Sequence, residues 1–194
     1  MRNKVAYLEV IAGPMFSGKT EELIRQVKRA AIGKKRVQVF KPSLDSRYGK
    51  GKELHSHNGQ TYDSELITKA QDILDLLDKK TEIVAIDEAQ WFGKDLIRVV
   101  HVLLKKKIRV LVAGLAMTFD RQPFEPTPTL MAMADSVNKL SAVCYICGEE
   151  AVFHKRVTKN TKNIDAKMPD PSFVSKLDVS VFQARCHKCF NKRP

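Results

Sequence analysis

The sequence predicts an α/β fold built on a mostly parallel sheet with helices on both faces, plus a small C-terminal metal-binding appendage. Three observations predict it. Short β-branched apolar runs alternate with longer helix-like runs over the first 140 residues. The segment GPMFSGKT follows the first such strand and opens the first such helix. All four cysteines fall in two Cys-x-x-Cys pairs near the end of the chain.

In order along the chain, Val5 to Ile11 reads as a buried strand and Glu21 to Ile32 as an amphipathic helix. Arg36 to Lys41 follows as a strand, Ser64 to Lys80 as a helix and Glu82 to Ile86 as a strand. Lys94 to Lys106 then reads as a helix and Arg109 to Ala113 as a strand. Nearly continuous apolar strands of this kind are buried on both faces, which is the situation of a parallel sheet. Ligands of such sheets sit beyond the carboxyl ends of the strands, so the loops after Ile11, Ile86 and Ala113 are expected to converge. The polar stretch from Pro42 to Asp63, with Gly49, Gly51 and Gly59, reads as a loop or hairpin. A second polar, proline-bearing run spans Thr158 to Ser175, and both stretches read either as substrate lids or as disorder.

The chain has 194 residues, 43% of them apolar, enough for one ordinary domain with a small addition. The expected division is a nucleotide-binding domain over 1–140 and a zinc-binding lid domain over 141–194. No stretch approaches the roughly 18 apolar residues of a membrane span, and the N-terminus leads into a strand, so the expected location is cytoplasmic. A net charge of +12 favours anionic partners, whether nucleotides or nucleic acid, or else serves solubility. The excess is concentrated in residues 151–194, where ten Lys and Arg face three Asp.

GPMFSGKT satisfies G-x-x-x-x-G-K-[ST] from Gly13 to Thr20. Its glycines let the backbone curl so that N–H groups point at a polyphosphate lying at the positive end of the following helix. Gly13, Pro14, Met15, Phe16, Ser17, Gly18, Lys19 and Thr20 are thus candidate ATP contacts; Lys19 suits the outer phosphates and Thr20 suits Mg²⁺. The segment EIVAIDEAQWF supplies the acidic partner. Asp87 at the strand end can hold the metal, and Glu88 can take a proton from an attacking hydroxyl or water; the plainer alternative is a helix cap.

Cys144, Cys147, Cys186 and Cys189 form two knuckles separated by 38 residues, the pattern of a tetrahedral Cys₄ zinc site. With four thiolates filling the tetrahedron, the expected role is structural. His154 and His187 are surplus to this count and are expected on the surface.

Several of these segments together resemble the type II thymidine kinases. GPMFSGKTEEL is similar to that family's phosphate loop, FKPSLDSRY to its Asp-Ser-Arg segment and IDEAQWF to its metal and base strand. GLAMTFDRQPF resembles its nucleoside-pocket strand, and LSAVCYIC with ARCHKC its zinc ribbon. The resemblance implies a RecA-like core and transfer of the γ-phosphate of ATP, with Mg²⁺, to the 5′-hydroxyl of thymidine or deoxyuridine. It also implies a structural Zn²⁺ and a homotetramer. No membrane partner is expected, for want of an apolar span, and no nucleic-acid partner, since the short chain leaves little room for a separate nucleic-acid domain. By position, Glu88 becomes the base, and Arg47 and Arg156 neutralise charge near the transferred group. Met15, Trp91, Leu115, Phe119, Phe124 and Phe182 fall on nucleoside-pocket positions, with core packing as the alternative for each. Three departures stand out. Trp91 replaces the usual Phe, Ala116 stands where Asp is frequent, and Leu177 to Phe182 lacks the Gly-Gly pair and ends in Phe instead of Tyr. A looser grip on the base is the expected consequence. The competing reading is a RecA-like ATPase acting on nucleic acid, or a weakly active relative with altered nucleoside preference.

Overall fold

The computed structural model describes residues 6–43, 53–55, 61–157 and 182–192. Its centre is a six-stranded parallel sheet formed by β1 (Tyr7–Ala12), β2 (Val37–Pro42), β5 (Glu65–Ile67), β6 (Ile83–Ile86), β7 (Arg109–Gly114) and β8 (Ser136–Lys139), in the order β5-β2-β6-β7-β1-β8. Four of these are the strands the apolar runs predict.

Alternation along each strand divides the core in two. Leu8, Val10, Val84, Ile86, Val110 and Val112 point to one face. There they meet Ile73 of α2 (Asp72–Asp75), Leu96, Val99, Val100 and Leu103 of α3 (Asp95–Lys105) and Leu130 of α4 (Thr127–Met133). Ile11, Ala85, Leu111 and Ala113 point the other way, against Leu23, Ile24 and Val27 of α1 (Lys19–Ile32). Full burial of one such aliphatic side chain is worth about 1.5–3 kcal/mol, so the two layers hold the sheet rigid under its C-terminal loops.

The helix expected over Ser64 to Lys80 is not formed; strand β5 and the four-residue α2 stand in its place. Polar side chains take the N–H groups that a longer helix would bond internally. Asp72 Oδ2 accepts from the Thr68 and Lys69 N–H groups at 3.0 and 2.9 Å, and Gln38 Oε1 accepts from the Asp78 N–H at 2.9 Å. Ile67 is then free to close the sheet edge against Pro42. Strand β8 also escapes the sequence pattern, because Ser-Val-Asn-Lys is an edge strand with little apolar signal. Asp135 leads it in, its carboxylate accepting from Leu8 N–H at 2.8 Å.

Between β2 and β5, the antiparallel pair β3 (Glu53–His55) and β4 (Thr61–Asp63) forms the expected hairpin. Beyond Leu140 the chain turns to short antiparallel pairs: β9 (Ala142–Val143) with β10 (Glu150–Ala151), and β11 (Phe153–Arg156) with β12 (Phe182–Arg185). The run Thr158 to Ser175, and Leu177 and Asp178 after it, lie outside the described residues. Among the described residues, no helix is long and apolar enough to cross a membrane.

Candidate active site and cysteine cluster

The loop Gly13 to Gly18 joins the end of β1 to the first turn of α1. A Cβ on Gly13 would lie 2.5 Å from Ser17 Oγ and 2.8 Å from the Leu140 carbonyl, so only glycine fits between the loop and the strand exit beside it. Gly18 has φ 77°, which turns the chain into the helix. The Pro14 carbonyl accepts from Ser17 Oγ at 2.8 Å and from Lys19 Nζ at 2.7 Å, curling the lysine back across its own loop. Met15 is half-buried, while Phe16, at φ 67°, stands 41% exposed. A groove of about 410 Å³ opens between Phe16, Gly18 and Glu21 on one side and Val143 and Glu150 of the cysteine-bearing segment on the other.

Strand order explains what meets this loop. β1 and β6 flank β7 on its two sides, so the exits of β6, β7 and β1 lie in a row, and the loops after Ile86, Ala113 and Ile11 converge as the parallel sheet requires. Thr20 Oγ1 donates to Asp87 Oδ2 at 2.9 Å across 67 residues of sequence. Asp87 is buried, its N–H held by the Phe40 carbonyl at 2.9 Å. Glu88 follows in the left-handed region, φ 50° and ψ 44°, before the single 3₁₀ turn Ala89–Phe92. For a non-glycine residue that conformation costs roughly 1–2 kcal/mol, and it swings the carboxylate off the strand line. Gln90, fully buried, donates from Nε2 to Glu88 Oε2 and accepts at Oε1 from the Leu115 N–H at 2.9 Å.

The aromatic candidates form two groups. Trp91 meets Phe124 edge to face, centroids 5.9 Å apart, and Phe119 meets Phe182 at 6.4 Å. Leu115 is buried at the end of β7. Arg156 pairs with Phe182 across β11 and β12, and His154 pairs with Ala184 two residues earlier, so all four share one face of the ribbon. Arg47 lies outside the described residues.

His154 corrects the sequence reading. It is buried, packed edge-on against Phe182 at 6.0 Å, and faces both Lys19 and Glu88. Burial, reinforced by the Lys19 charge and opposed by Glu88, pulls its pKa down to about 4. A histidine so placed is a neutral wall of the site at neutral pH. His187 is exposed, as expected, with its ring against Phe153. Sequence alone also missed Gln90, whose signal lay only in its position two residues after Glu88. Arg185 was missed as well: it is completely buried, donating to the Cys189 and Lys192 carbonyls at 3.1 Å and to Gln183 Oε1 at 2.6 Å.

Cys144, Cys147, Cys186 and Cys189 converge, all four sulfurs within 4.8 Å of one another and Cys147 Sγ 3.7 Å from Cys186 Sγ. A zinc tetrathiolate with Zn–S near 2.3 Å has sulfur–sulfur edges of about 3.8 Å, so the cluster fits that ion. Burial raises the Cys144 thiol, but backbone hydrogen bonds at Cys186, Ile146 and Cys147 outweigh it and bring the thiol to about 6. Burial and the neighbouring thiols push Cys189 up to about 12.

Among solved structures, the chain is similar to the crystal structure of a DNA replication initiation factor at 12% identity and a TM-score of 0.42. That match covers 71% of this chain and 41% of the other, so the chain spans about two fifths of that structure's length. The sequence profile described as thymidine kinase matches residues 6–190, nearly the whole length, taking in the Gly13–Thr20 loop, the Asp87–Glu88 strand end and both cysteine pairs. The chain therefore belongs to the thymidine kinase family, a family of phosphotransferases that use ATP and a nucleoside.

Proposed function

We propose that the chain is a type II thymidine kinase, moving the γ-phosphate of ATP to the 5′-hydroxyl of thymidine or deoxyuridine. The observation that carries this reading is the Thr20–Asp87 hydrogen bond with Glu88 next in sequence, in a chain of this family. A P-loop hydroxyl and a strand-end carboxylate 2.9 Å apart are hard oxygen donors, which suits Mg²⁺. When bound, the ion supplies positive charge to the β- and γ-phosphate oxygens.

The chain's own residues then divide the work. The backbone N–H groups of Met15 to Thr20 cradle the phosphates, and Lys19 offsets the charge that builds on the γ-phosphate as its bond to the β-phosphate breaks. Glu88 takes the proton from the 5′-hydroxyl as that oxygen bonds to phosphorus. Arg156 and Arg47 offset the remaining charge. Met15, Trp91, Leu115, Phe119, Phe124 and Phe182 enclose base and sugar and exclude water. His154, neutral beside Lys19, closes the wall without adding a further cation to those of Lys19 and the two arginines. In this reading residues 1–140 hold the nucleotide, residues 141–194 form a lid domain on a structural zinc, and the protein works as a cytoplasmic homotetramer.

Labelled ATP incubated with thymidine, deoxyuridine, deoxycytidine and deoxyguanosine tests the assignment. The expected result is labelled 5′-monophosphate from thymidine and deoxyuridine. A purine preference, or ATP hydrolysis with no transfer to any free nucleoside, would overturn it.

A further inference from the structure

We infer that Gln90 is a positioning residue that fixes the distance and orientation of Glu88 relative to the nucleoside-pocket strand. The inference rests on the proposed role of Glu88 as base. Gln90 is fully buried and its amide is used at both ends, Nε2 to Glu88 Oε2 and Oε1 from the Leu115 N–H at 2.9 Å. Only one orientation of the amide serves both contacts, because a backbone N–H can only donate and an ionised carboxylate only accepts. The side chain therefore links the end of β6 to the end of β7 without ambiguity.

Two features separate this link from ordinary satisfaction of a buried amide. Glu88 is only partly buried, so water could solvate its carboxylate, and its folding does not require a buried donor. Its backbone, at φ 50°, also lacks the support of regular strand or helix geometry, so the side chain needs an external fix to hold one direction. At the other end, Leu115 begins the segment that continues to Phe119 and Phe124, which carry the two aromatic pairs. The backbone makes room for the link at Gly114, where a Cβ would lie 3.1 Å from Gln90 Oε1 and 2.7 Å from Thr127 Oγ1. Gln90 thus sets the spacing between the group that removes the proton and the wall that places the hydroxyl. Misplacement of such a pair by about 1 Å can cost on the order of 10²-fold in rate.

The test is steady-state kinetics with thymidine and MgATP on wild type, Gln90→Met, Glu88→Gln and the double variant. Methionine keeps the length and removes both hydrogen bonds. Expected for Gln90→Met is a fall in kcat of roughly 10–100-fold with both KM values within about threefold of wild type. Because Gln90 acts through Glu88, the double variant should be no slower than Glu88→Gln alone. Wild-type kcat in Gln90→Met, a change in KM alone, or losses that multiply in the double variant would overturn the inference. If Gln90→Met fails to fold by thermal melt, Gln90→Asn replaces it: its amide, one methylene shorter, cannot reach Glu88 and the Leu115 N–H together. Wild-type kcat in that variant at neutral pH overturns the inference equally. Full turnover in Glu88→Gln removes the base reading and this inference with it, whereas a crippled Glu88→Gln beside a fully active Gln90→Met removes the inference alone.

Discussion

Acidification should destabilise this protein through His154 in particular, and the size of the effect follows from where the ring sits. In the unfolded chain the imidazole titrates near 6.5; in the fold, burial and the Lys19 charge bring it to about 4. The unfolded state therefore binds the proton more readily, so the stability associated with the neutral ring is full above pH 6.5 and is lost as pH falls toward 4. At pH 5 the unfolded histidine is almost wholly protonated and the folded one hardly at all, a difference worth about 2 kcal/mol. The limit below pH 4 is about 3 kcal/mol. Urea unfolding of wild type and His154→Gln at pH 7 and pH 5 measures it. The clustered cysteine thiols are common to both proteins, so any response of theirs to acid cancels in the comparison. Wild type should lose about 2 kcal/mol more than the variant between the two pH values. Equal losses would refute the burial of a neutral His154 beside Lys19.

Lys19→Ala should lower the rate of phosphoryl transfer by about 10²–10³-fold, read by labelled phosphate incorporation; normal turnover would remove Lys19 from the phosphate site. Metal analysis of freshly purified reduced protein should find about one zinc per chain, and Cys186→Ser should lose it together with thermal stability, because three thiolates no longer close the tetrahedron. Zinc retained at full stoichiometry in Cys186→Ser would reassign the site. Arg185→Met should cost roughly 3 kcal/mol or more in denaturant unfolding, since the Cys189 and Lys192 carbonyls lose a buried charged donor; an effect below about 1 kcal/mol would show that they find other partners. Phe182→Tyr should lower KM for thymidine by a few-fold, as one hydrogen bond is worth about 0.5–1.5 kcal/mol; an unchanged KM would place the ring outside the nucleoside pocket.

The sequence by itself determined whatever is encoded in local chemistry. GPMFSGKT, Asp87 after a buried strand and the cysteine spacing are short-range patterns whose geometry follows from glycine torsions, strand periodicity and thiolate chemistry. They sufficed to place the glycine-bearing loop before α1, the acidic strand end and the four-cysteine cluster. Local pattern misled at Ser64 to Lys80, where the edge of the sheet and the Asp72 and Gln38 side chains claimed groups that a helix would have used. Only the tertiary structure decided the contacts that cross the chain. Strand order brought Thr20 to Asp87, the meeting of β6 and β7 gave Gln90 its two partners, and packing of the cysteine-bearing ribbon buried His154 and Arg185. A lone His or Gln carries no periodicity and no motif. Its meaning is set by which backbone and charge lie opposite, and that is fixed only when segments far apart in sequence pack together.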